Sequence, residues 1–135
     1  AVSMTGDHAT LQISSLHAGN HDVVATYNGN GDFASSDSAT IVHGVDQSQT
    51  QVSLTSSDDT AVSGQPLTFT AHVSPTGNGA GDPSGTVTFF AGGDQIGSPV
   101  TVVDGTATSS TTSLDAGTHA ITATYSGDAD FAGSM

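Results

Sequence analysis

The chain has 135 residues and thirteen acidic side chains, all of them Asp, but neither Lys nor Arg, so its formal net charge at pH 7 is −13. This charge repels phosphate backbones and anionic lipid and argues against nucleic acid and membrane surfaces as partners. No apolar run is long enough to span a bilayer, so we expect no membrane insertion. The absence of Cys excludes disulfides and thiol chemistry.

An internal repeat organises the chain. Residues 1–37 align without a gap on residues 99–135, which lie 98 positions later, and 16 of the 37 positions are identical. A repeat at this level indicates one structural unit used twice. Because 135 residues hold roughly one and a third units, we expect the chain to be a section of a longer tandem array. Three segments follow: half a unit over residues 1–45, a short linker over residues 46–49, and a second unit without its last strand over residues 50–135.

Alternation of apolar and polar residues, interrupted by Gly, Asp and Asn, predicts short strands in the first unit. We expect them over residues 1–5, 8–16, 21–28 and 38–43. In the second of these strands the side chains expected to face inward are Ala9, Leu11, Ile13 and Leu16. Phe33 follows a predicted hairpin loop over residues 29–32 and is expected to plug the core.

The second unit shows the same pattern over its whole length. We expect strands over residues 50–55, 66–74, 86–91, 99–103, 105–114 and 118–126. A long loop rich in Gly, Asn and Asp separates two of them, over residues 75–85. Turn signals about every eight to twelve residues in an all-β pattern predict a sandwich of two sheets.

Several ordered blocks of the sequence resemble a known family. They begin at Gly64-Gln65-Pro66, continue through Pro83–Phe90 and end with Asp115–Phe131. The pattern resembles the bacterial immunoglobulin-like repeats of the group-3 type, over essentially all of residues 50–135. The resemblance implies an all-β fold of tandem immunoglobulin-like β-sandwich repeats, for which the internal repeat gives a period of 98 residues. It also implies that the first unit holds strands D/E, F and G, and that the second holds strands A to F.

The resemblance implies an architectural function. We expect a stalk or fibre segment of a large extracellular or cell-surface bacterial protein, whose partners are neighbouring repeats of the same chain or other copies. Two alternatives stay open. One is a subunit of a non-covalent filament assembled by strand complementation. The other is an adhesion module that binds glycans or proteins of a host or cell surface through the loop over residues 75–85 or the acidic loops.

Two histidines, His21 and His119, occupy the same position of the repeat, in the frame Ala-Gly-x-His. Other immunoglobulin folds place the tyrosine of the tyrosine corner here. We interpret each imidazole as structural, with a hydrogen bond to the backbone of its own turn. A metal site would need two or three further ligands, and the repeat supplies one His per unit at this place.

The aromatic residues also recur in pairs. Tyr27 and Tyr125 end the expected F strands, and Phe33 and Phe131 follow the next loop. We interpret all four as core residues at the end of the sandwich. The alternative, a stacking platform for sugar, fits less well with an aromatic content of only 5%.

Oxygen-rich loops raise the question of a calcium site. The candidate ligands are Asp32, Asp128 and Asp130 in the two F–G loops, with Asp46 in the linker. The spacing lacks the number of ligands and the terminal bidentate Glu of an EF-hand loop. Turn chemistry is therefore the favoured interpretation, because Asp and Asn accept local backbone hydrogen bonds. We expect no other cofactor.

No catalytic motif is present. The sequence has no Gly-x-Ser-x-Gly elbow, no phosphate-binding loop and no metalloprotease helix motif. Without Glu, Lys, Arg or Cys, few groups remain for acid–base or nucleophilic chemistry. We predict that the chain is not an enzyme.

Overall fold

The computed structural model describes residues 1–77, 79 and 81–135, and these residues form two compact units, Ala1–Val45 and Asp46–Met135. Two positions of the expected loop over residues 75–85, Asn78 and Ala80, lie outside the described residues. The described residues form strands, turns and bends but no helix. In that part of the chain no helix therefore has the length and apolar character needed to cross a membrane. The strands are β1 (Gly19–Val23), β2 (Thr26–Tyr27), β3 (Ser36–Asp37), β4 (Ile41–Val45), β5 (Thr50–Ser56), β6 (Leu67–Pro75), β7 (Thr86–Ala91), β8 (Asp94–Thr101), β9 (Thr106–Thr111) and β10 (Ile121–Tyr125).

The second unit is a sandwich of two antiparallel three-stranded sheets. One sheet has the order β5-β6-β9, and the other has the order β10-β7-β8. The chain crosses between the sheets after β6, again after β8 and a third time after β9. This all-β sandwich agrees with the fold class expected from the sequence.

The alternation of side chains along the strands builds the core. In β6 the residues Phe69, Ala71 and Val73 are buried, whereas the intervening residues are exposed or half-buried. Val87 and Phe89 of β7 face them from the other sheet and are fully buried. This follows from the period of two in a strand, which sends alternate side chains to opposite faces. The buried core comprises Phe69, Ala71, Val73, Val87, Phe89, Ile96, Val102, Ala107, Ala123, Tyr125 and Phe131.

Most strand boundaries in the second unit lie close to the positions expected from the sequence, but β8 differs. The sequence predicts a turn near residue 97 followed by a separate strand over residues 99–103. The structure has one strand, Asp94–Thr101, which runs through Gly97. Gly97 has a φ of +66°, so the backbone takes a left-handed conformation inside the strand, and the pairing of β8 with β7 is irregular between Val87 and Phe89. A glycine tolerates this conformation without ending the strand.

The end of the second unit returns alongside its beginning. After β10 the described residues form no further strand of two or more residues, but Phe131 makes a parallel bridge with Ser48 and Ser134 makes an antiparallel bridge with Tyr125. The last residues of the unit are therefore hydrogen-bonded both to the start of β5 and to the end of β10.

The first unit consists of two short antiparallel ladders. β1 pairs with β4, and β2 pairs with β3. All residues from 1 to 45 are exposed or half-buried, so this unit has no core of its own. The reason is that a sheet buries its apolar face only against a second layer, and residues 1–45 do not contain one.

The expected strand over residues 8–16 is wrong, because the structure has no strand there. The side chains expected to face inward are exposed, with exposed fractions of 66% for Leu11, 51% for Ile13 and 38% for Leu16, and Ala9 is exposed too. The counterpart segment in the second unit contains β9, which is held by its pairing with β6. Residues 1–45 contain no counterpart of β6, so this segment has neither a ladder partner nor a core to face.

Candidate functional site

The densest polar arrangement in the structure surrounds the side chain of Asp128, in the loop after β10. Its Oδ2 accepts hydrogen bonds from the Ser84 backbone N–H at 2.7 Å, the Ser84 hydroxyl at 2.7 Å and the Tyr125 hydroxyl at 3.2 Å. Its Oδ1 accepts from the backbone N–H groups of Asp130 at 2.9 Å and Phe131 at 2.8 Å. We call these five residues the Asp128 cluster. It fastens the loop after β10 to the segment that leads into β7.

The hydrogen bonds of the cluster change the acidity of the carboxyl group. Partial burial alone would raise the pKa of Asp128, but the hydrogen bonds from Ser84 and from the N–H groups of Asp130 and Phe131 stabilise the carboxylate and lower the pKa from 3.8 to about 2. Asp128 is therefore ionised in the folded protein over nearly the whole accessible pH range. The folded state is stabilised by this negative charge.

Tyr125 is the buried partner in the cluster. Its side chain is only 1% exposed, and its hydroxyl donates to Asp128. Burial, followed by the charge of Asp128 and this hydrogen bond, raises the pKa of the phenol to about 12. All three causes favour the neutral phenol, so Tyr125 acts as a hydrogen-bond donor and not as an acid or a base near neutral pH.

The same loop is bound to the start of the second unit. The side chain of Gln47 donates to the carbonyl of Asp128 at 2.8 Å, and the N–H of Ser48 donates to the carbonyl of Asp130 at 2.8 Å. The N–H of Ala132 donates back to the carbonyl of Ser48 at 2.9 Å. The Thr50 hydroxyl adds contacts to the carbonyl of Ala132 at 2.8 Å and the hydroxyl of Ser134 at 2.7 Å. Residues 47–50 and 128–134 thus form one hydrogen-bonded patch, which we call the terminal patch.

Part of this loop geometry also occurs 98 residues earlier, in the first unit. Asn30 stands at the position of Asp128, and its Oδ1 accepts from the N–H groups of Asp32 at 2.9 Å and Phe33 at 2.8 Å. The bridge between Tyr125 and Ser134 corresponds to the pairing of Tyr27 with Ser36. An amide oxygen and a carboxylate oxygen therefore support the same turn, which is the local hydrogen bonding typical of Asn and Asp in loops.

The two histidines make equivalent hydrogen bonds, although His21 lies within β1 and His119 lies just before β10. Nε2 of His21 donates to the carbonyl of His17 at 2.7 Å, and Nε2 of His119 donates to the carbonyl of Asp115 at 2.9 Å. Each bond joins the imidazole to the backbone carbonyl four residues earlier in the chain. A nitrogen that donates to a carbonyl in this way has no free lone pair for a metal.

The structure does not gather the candidate calcium ligands into one site. Within the described residues, no group of three or more His, Asp or other ligating side chains is close enough to hold a metal ion. Both carboxylate oxygens of Asp128 are occupied by hydrogen-bond donors, and Asp32 belongs to the first unit. Asp130 and Asp46 belong to the second unit, as Asp128 does. The hydrogen bonding of Asp128 is that of turn chemistry, whereas calcium binding has no assembled ligand set in this part of the chain.

The four aromatic residues have different environments. Tyr125 and Phe131 are 1% and 3% exposed. Tyr27 is half-buried, and Phe33 is 67% exposed. The expectation that Phe33 plugs a core is therefore wrong for this structure. Its two chain neighbours, Asp32 and Ala34, match those of Phe131, but the first unit has no opposing sheet to bury it.

Sequence reasoning missed Ser84, Gln47 and Thr50. Ser84 lies 44 positions before Asp128, and Gln47 lies 81 positions before it, so no local spacing signals either contact. Thr50 contacts Ala132, which lies 82 positions later, so its role is not visible in the local sequence either. The Pro83-Ser84-Gly85 block belongs to the pattern that resembles the family, but the pattern assigns no role to its serine.

Two facing antiparallel sheets in this order, with the last residues returning beside the first strand, define an immunoglobulin-like β-sandwich. Modules of this class are structural or adhesion-type. The sequence model of the bacterial Ig-like domain (group 3) matches residues 54–135, and the chain belongs to that family. Domains of this family are generally non-enzymatic and typically occur in surface or extracellular proteins. Neither the search of curated proteins nor the search of solved structures found a match.

Proposed function

We propose that the chain is a load-carrying segment of a stalk or fibre in a large extracellular or cell-surface bacterial protein, built from tandem repeats with a period of 98 residues. It has no catalytic role in this proposal. Its partners are neighbouring repeats. The 98-residue spacing of matching turns, including the paired bonds of His21 and His119, supports the use of one unit twice.

The observation that carries the mechanical role is the terminal patch. Residues 47–50 enter the second unit side by side with residues 128–134, and the bridge between Ser48 and Phe131 is parallel. When the two ends of the unit are pulled apart, parallel neighbours slide along one another. The hydrogen bonds of the patch are then stretched together in shear, whereas an antiparallel hairpin pulled at its open end breaks one bond at a time.

The test is single-molecule pulling of the full chain, which has no native Cys to interfere with attachment. Asp46→Cys with Met135→Cys loads the terminal patch in shear. Gln49→Cys with Thr76→Cys opens the antiparallel pair β5 and β6 from its open end, where Thr50 pairs with Pro75. We expect a clearly higher unfolding force in the first geometry. Equal forces would refute the mechanical role.

A matched pair of variants checks which bonds resist the force. Thr50→Val keeps the shape of the side chain but removes its bonds to Ala132 and Ser134. Thr55→Val makes the same change in the same strand, where the hydroxyl contacts only the carbonyl of Thr70, at 3.4 Å. We expect the first variant to lower the unfolding force in the shear geometry and the second to leave it unchanged.

A second candidate function is a subunit of a non-covalent filament assembled by strand complementation. The observation that favours it is an edge along β10: residues 121–124 pair with β7 on one side and, within the described residues, with no strand on the other. In the first unit the corresponding residues 23–26 are paired only at their two ends, Val23 with Ile41 of β4 and Thr26 with Asp37 of β3. A strand from another copy would fit the free edge of β10. Light scattering over a wide concentration range tests it, and a chain that stays monomeric throughout would exclude it.

The remaining sequence prediction is an adhesion module that binds glycans or proteins. No contact described in the loop over residues 75–85 favours this function. It stays a prediction for that loop.

A further inference from the structure

A groove opens at one end of the second unit, away from the Asp128 cluster. It has a volume of about 410 Å³ and lies between the loop that joins β5 to β6 and the turn that precedes β10. Its deeper lining is apolar and includes Leu67, Leu114 and Ile121, all partly buried against the core. Its outer lining carries the exposed carboxylates of Asp58, Asp59 and Asp115. We call these six residues the acidic groove.

The first wall of the groove is held in one shape by its own hydrogen bonds. Ser57 is joined to Thr68 of β6 by two bonds, from its N–H to the Thr68 carbonyl at 2.9 Å and from the Thr68 N–H to its hydroxyl at 3.0 Å. Asp58 accepts from the N–H of Thr60 at 3.1 Å and from the side chain of Gln65 at 3.4 Å. Gln65 also donates its backbone N–H to the carbonyl of Val62 at 3.0 Å. A wall that is ordered before binding loses less entropy when a partner binds.

The second wall is the turn closed by His119, whose Nε2 donates to the carbonyl of Asp115. This bond uses the backbone of Asp115 and leaves its side chain free. Within the described residues, the carboxylates of Asp59 and Asp115 accept no hydrogen bond and form no ion pair. Two unpartnered negative charges thus flank an apolar lining.

The charge and shape of the groove restrict the kind of side chain that fits it. A side chain that fits must have an aliphatic stem for the apolar lining and a cationic end for the carboxylates. Lys and Arg have this form, because their methylene stems lie on apolar surface while the charged end stays at the rim. Residues 1–135 contain no Lys and no Arg, so such a side chain comes from outside these residues.

We propose that the acidic groove binds a Lys or Arg side chain of a different protein, with its stem on Leu67, Leu114 and Ile121 and its charge between Asp59 and Asp115. The volume of the groove is within the range of sites that bind small ligands, so it has room for a Lys or Arg side chain. Exposed ion pairs contribute little individually, so the expected affinity for one side chain in a short peptide is about millimolar. This binding is independent of the stalk role and of the terminal patch.

The probe is the blocked peptide acetyl-Ala-Leu-Lys-Leu-Ala-amide, titrated into the isotope-labelled full chain and followed by NMR. We expect saturable shifts of the backbone amides of Asp59, Leu114 and Ile121. The same peptide with norleucine in place of Lys keeps the stem and lacks the charge. It should bind about tenfold more weakly, because the partnering of Asp59 and Asp115 is lost. Equal binding of the two peptides would overturn the role of the carboxylates.

Matched variants locate the site. Asp59→Asn with Asp115→Asn removes two charges from the groove and should weaken binding of the Lys peptide about tenfold. Asp22→Asn with Asp94→Asn removes the same charge from two exposed positions outside the groove and should leave binding unchanged. All four positions are exposed, so the variants should keep the folded NMR spectrum. Equal weakening by both pairs of variants would reject the proposal. A second check is spermine: if it shifts amides near Asp residues by the same amount in every part of the chain, the chain only condenses cations, and the proposal is rejected as well.

Discussion

Replacing Asp128 by Asn changes one atom group of the Asp128 cluster and removes its charge. Asn30 shows that an amide oxygen can hold the turn, because its Oδ1 accepts from the N–H groups of Asp32 and Phe33 as Oδ1 of Asp128 does from Asp130 and Phe131. The hydrogen bond that is lost is one accepted by the other carboxylate oxygen, Oδ2. In Asp128→Asn an NH₂ group replaces Oδ2 and faces the backbone N–H of Ser84, which then has no acceptor.

The expected cost follows from this lost bond. Hydrogen bonds to a charged group contribute about 1.5–3 kcal/mol, and partial exposure of Asp128 to solvent places the cost near the lower end, at about 2 kcal/mol. For a domain of this size that lowers the melting temperature by roughly 10 °C. Urea denaturation followed by circular dichroism measures the change in the free energy of unfolding in the full chain. The cooperative transition reports the second unit, because residues 1–45 have no buried core.

The pH dependence separates the charge from the shape. The pKa of Asp128 is about 2 in the folded state against 3.8 without the protein environment, so its stabilising effect is present above about pH 4 and is lost as the pH falls towards 2. The difference in unfolding free energy between the natural chain and Asp128→Asn should shrink over this interval. Asp94→Asn, an equal charge change at an exposed position, is the control. A difference below about 0.5 kcal/mol at neutral pH, or one that does not change with pH, would refute the reasoning.

Three further predictions concern the same end of the second unit. Phe131→Ala should destabilise the second unit by about 3–5 kcal/mol because it empties a core position, whereas Phe33→Ala, an identical change at an exposed position, should cost less than about 0.5 kcal/mol in the same urea experiment. Gly127→Ala should cost about 2–3 kcal/mol, because φ is +77° and a Cβ would lie 2.8 Å from the N of Gly133 and 2.9 Å from the O of Phe131. Gly64→Ala, with a similar φ of +84° but no atom within 4 Å, should cost clearly less, and equal losses would exclude a role for the contact. Tyr125 should form tyrosinate only near pH 12, since its pKa is raised from 10.0 by burial first and by Asp128 second. The stability due to the neutral phenol is therefore present below about pH 10 and lost as the pH rises through about 12, and Tyr125→Phe should remove that ultraviolet titration step.

Local sequence carried much of the information about the second unit. The alternation of Leu67, Phe69, Ala71 and Val73 predicts β6, and the structure buries Phe69, Ala71 and Val73 in the core. The pair Asp104-Gly105 predicts a hairpin, and both residues have positive φ, at 49° and 69°. Such features depend on residues a few positions apart. They could be read from the sequence because backbone conformation and strand faces are decided over that distance.

The Asp128 cluster could not be read in this way. The preference of Asp for turns accounts for the bonds of Oδ1, which reach residues two and three positions later. The bonds of Oδ2 come from Ser84, 44 positions earlier, and depend on the packing of β7 beside β10. The groove at the other end likewise joins residues near position 58 with residues near position 115, which only the sandwich brings together.

The pair Phe33 and Phe131 separates the two kinds of information. Both follow a Tyr-x-Gly loop and precede an Ala, and the loop hydrogen bonds that position them are the same. The sequence by itself determined that turn, because its hydrogen bonds are local. Whether the ring is buried was decided by tertiary structure: Phe131 lies against two packed sheets and is 3% exposed, and Phe33 has no opposing sheet in its unit and is 67% exposed. Burial depends on what the rest of the chain places around a residue, since the hydrophobic effect rewards the removal of apolar surface from water by any neighbour, however distant in sequence.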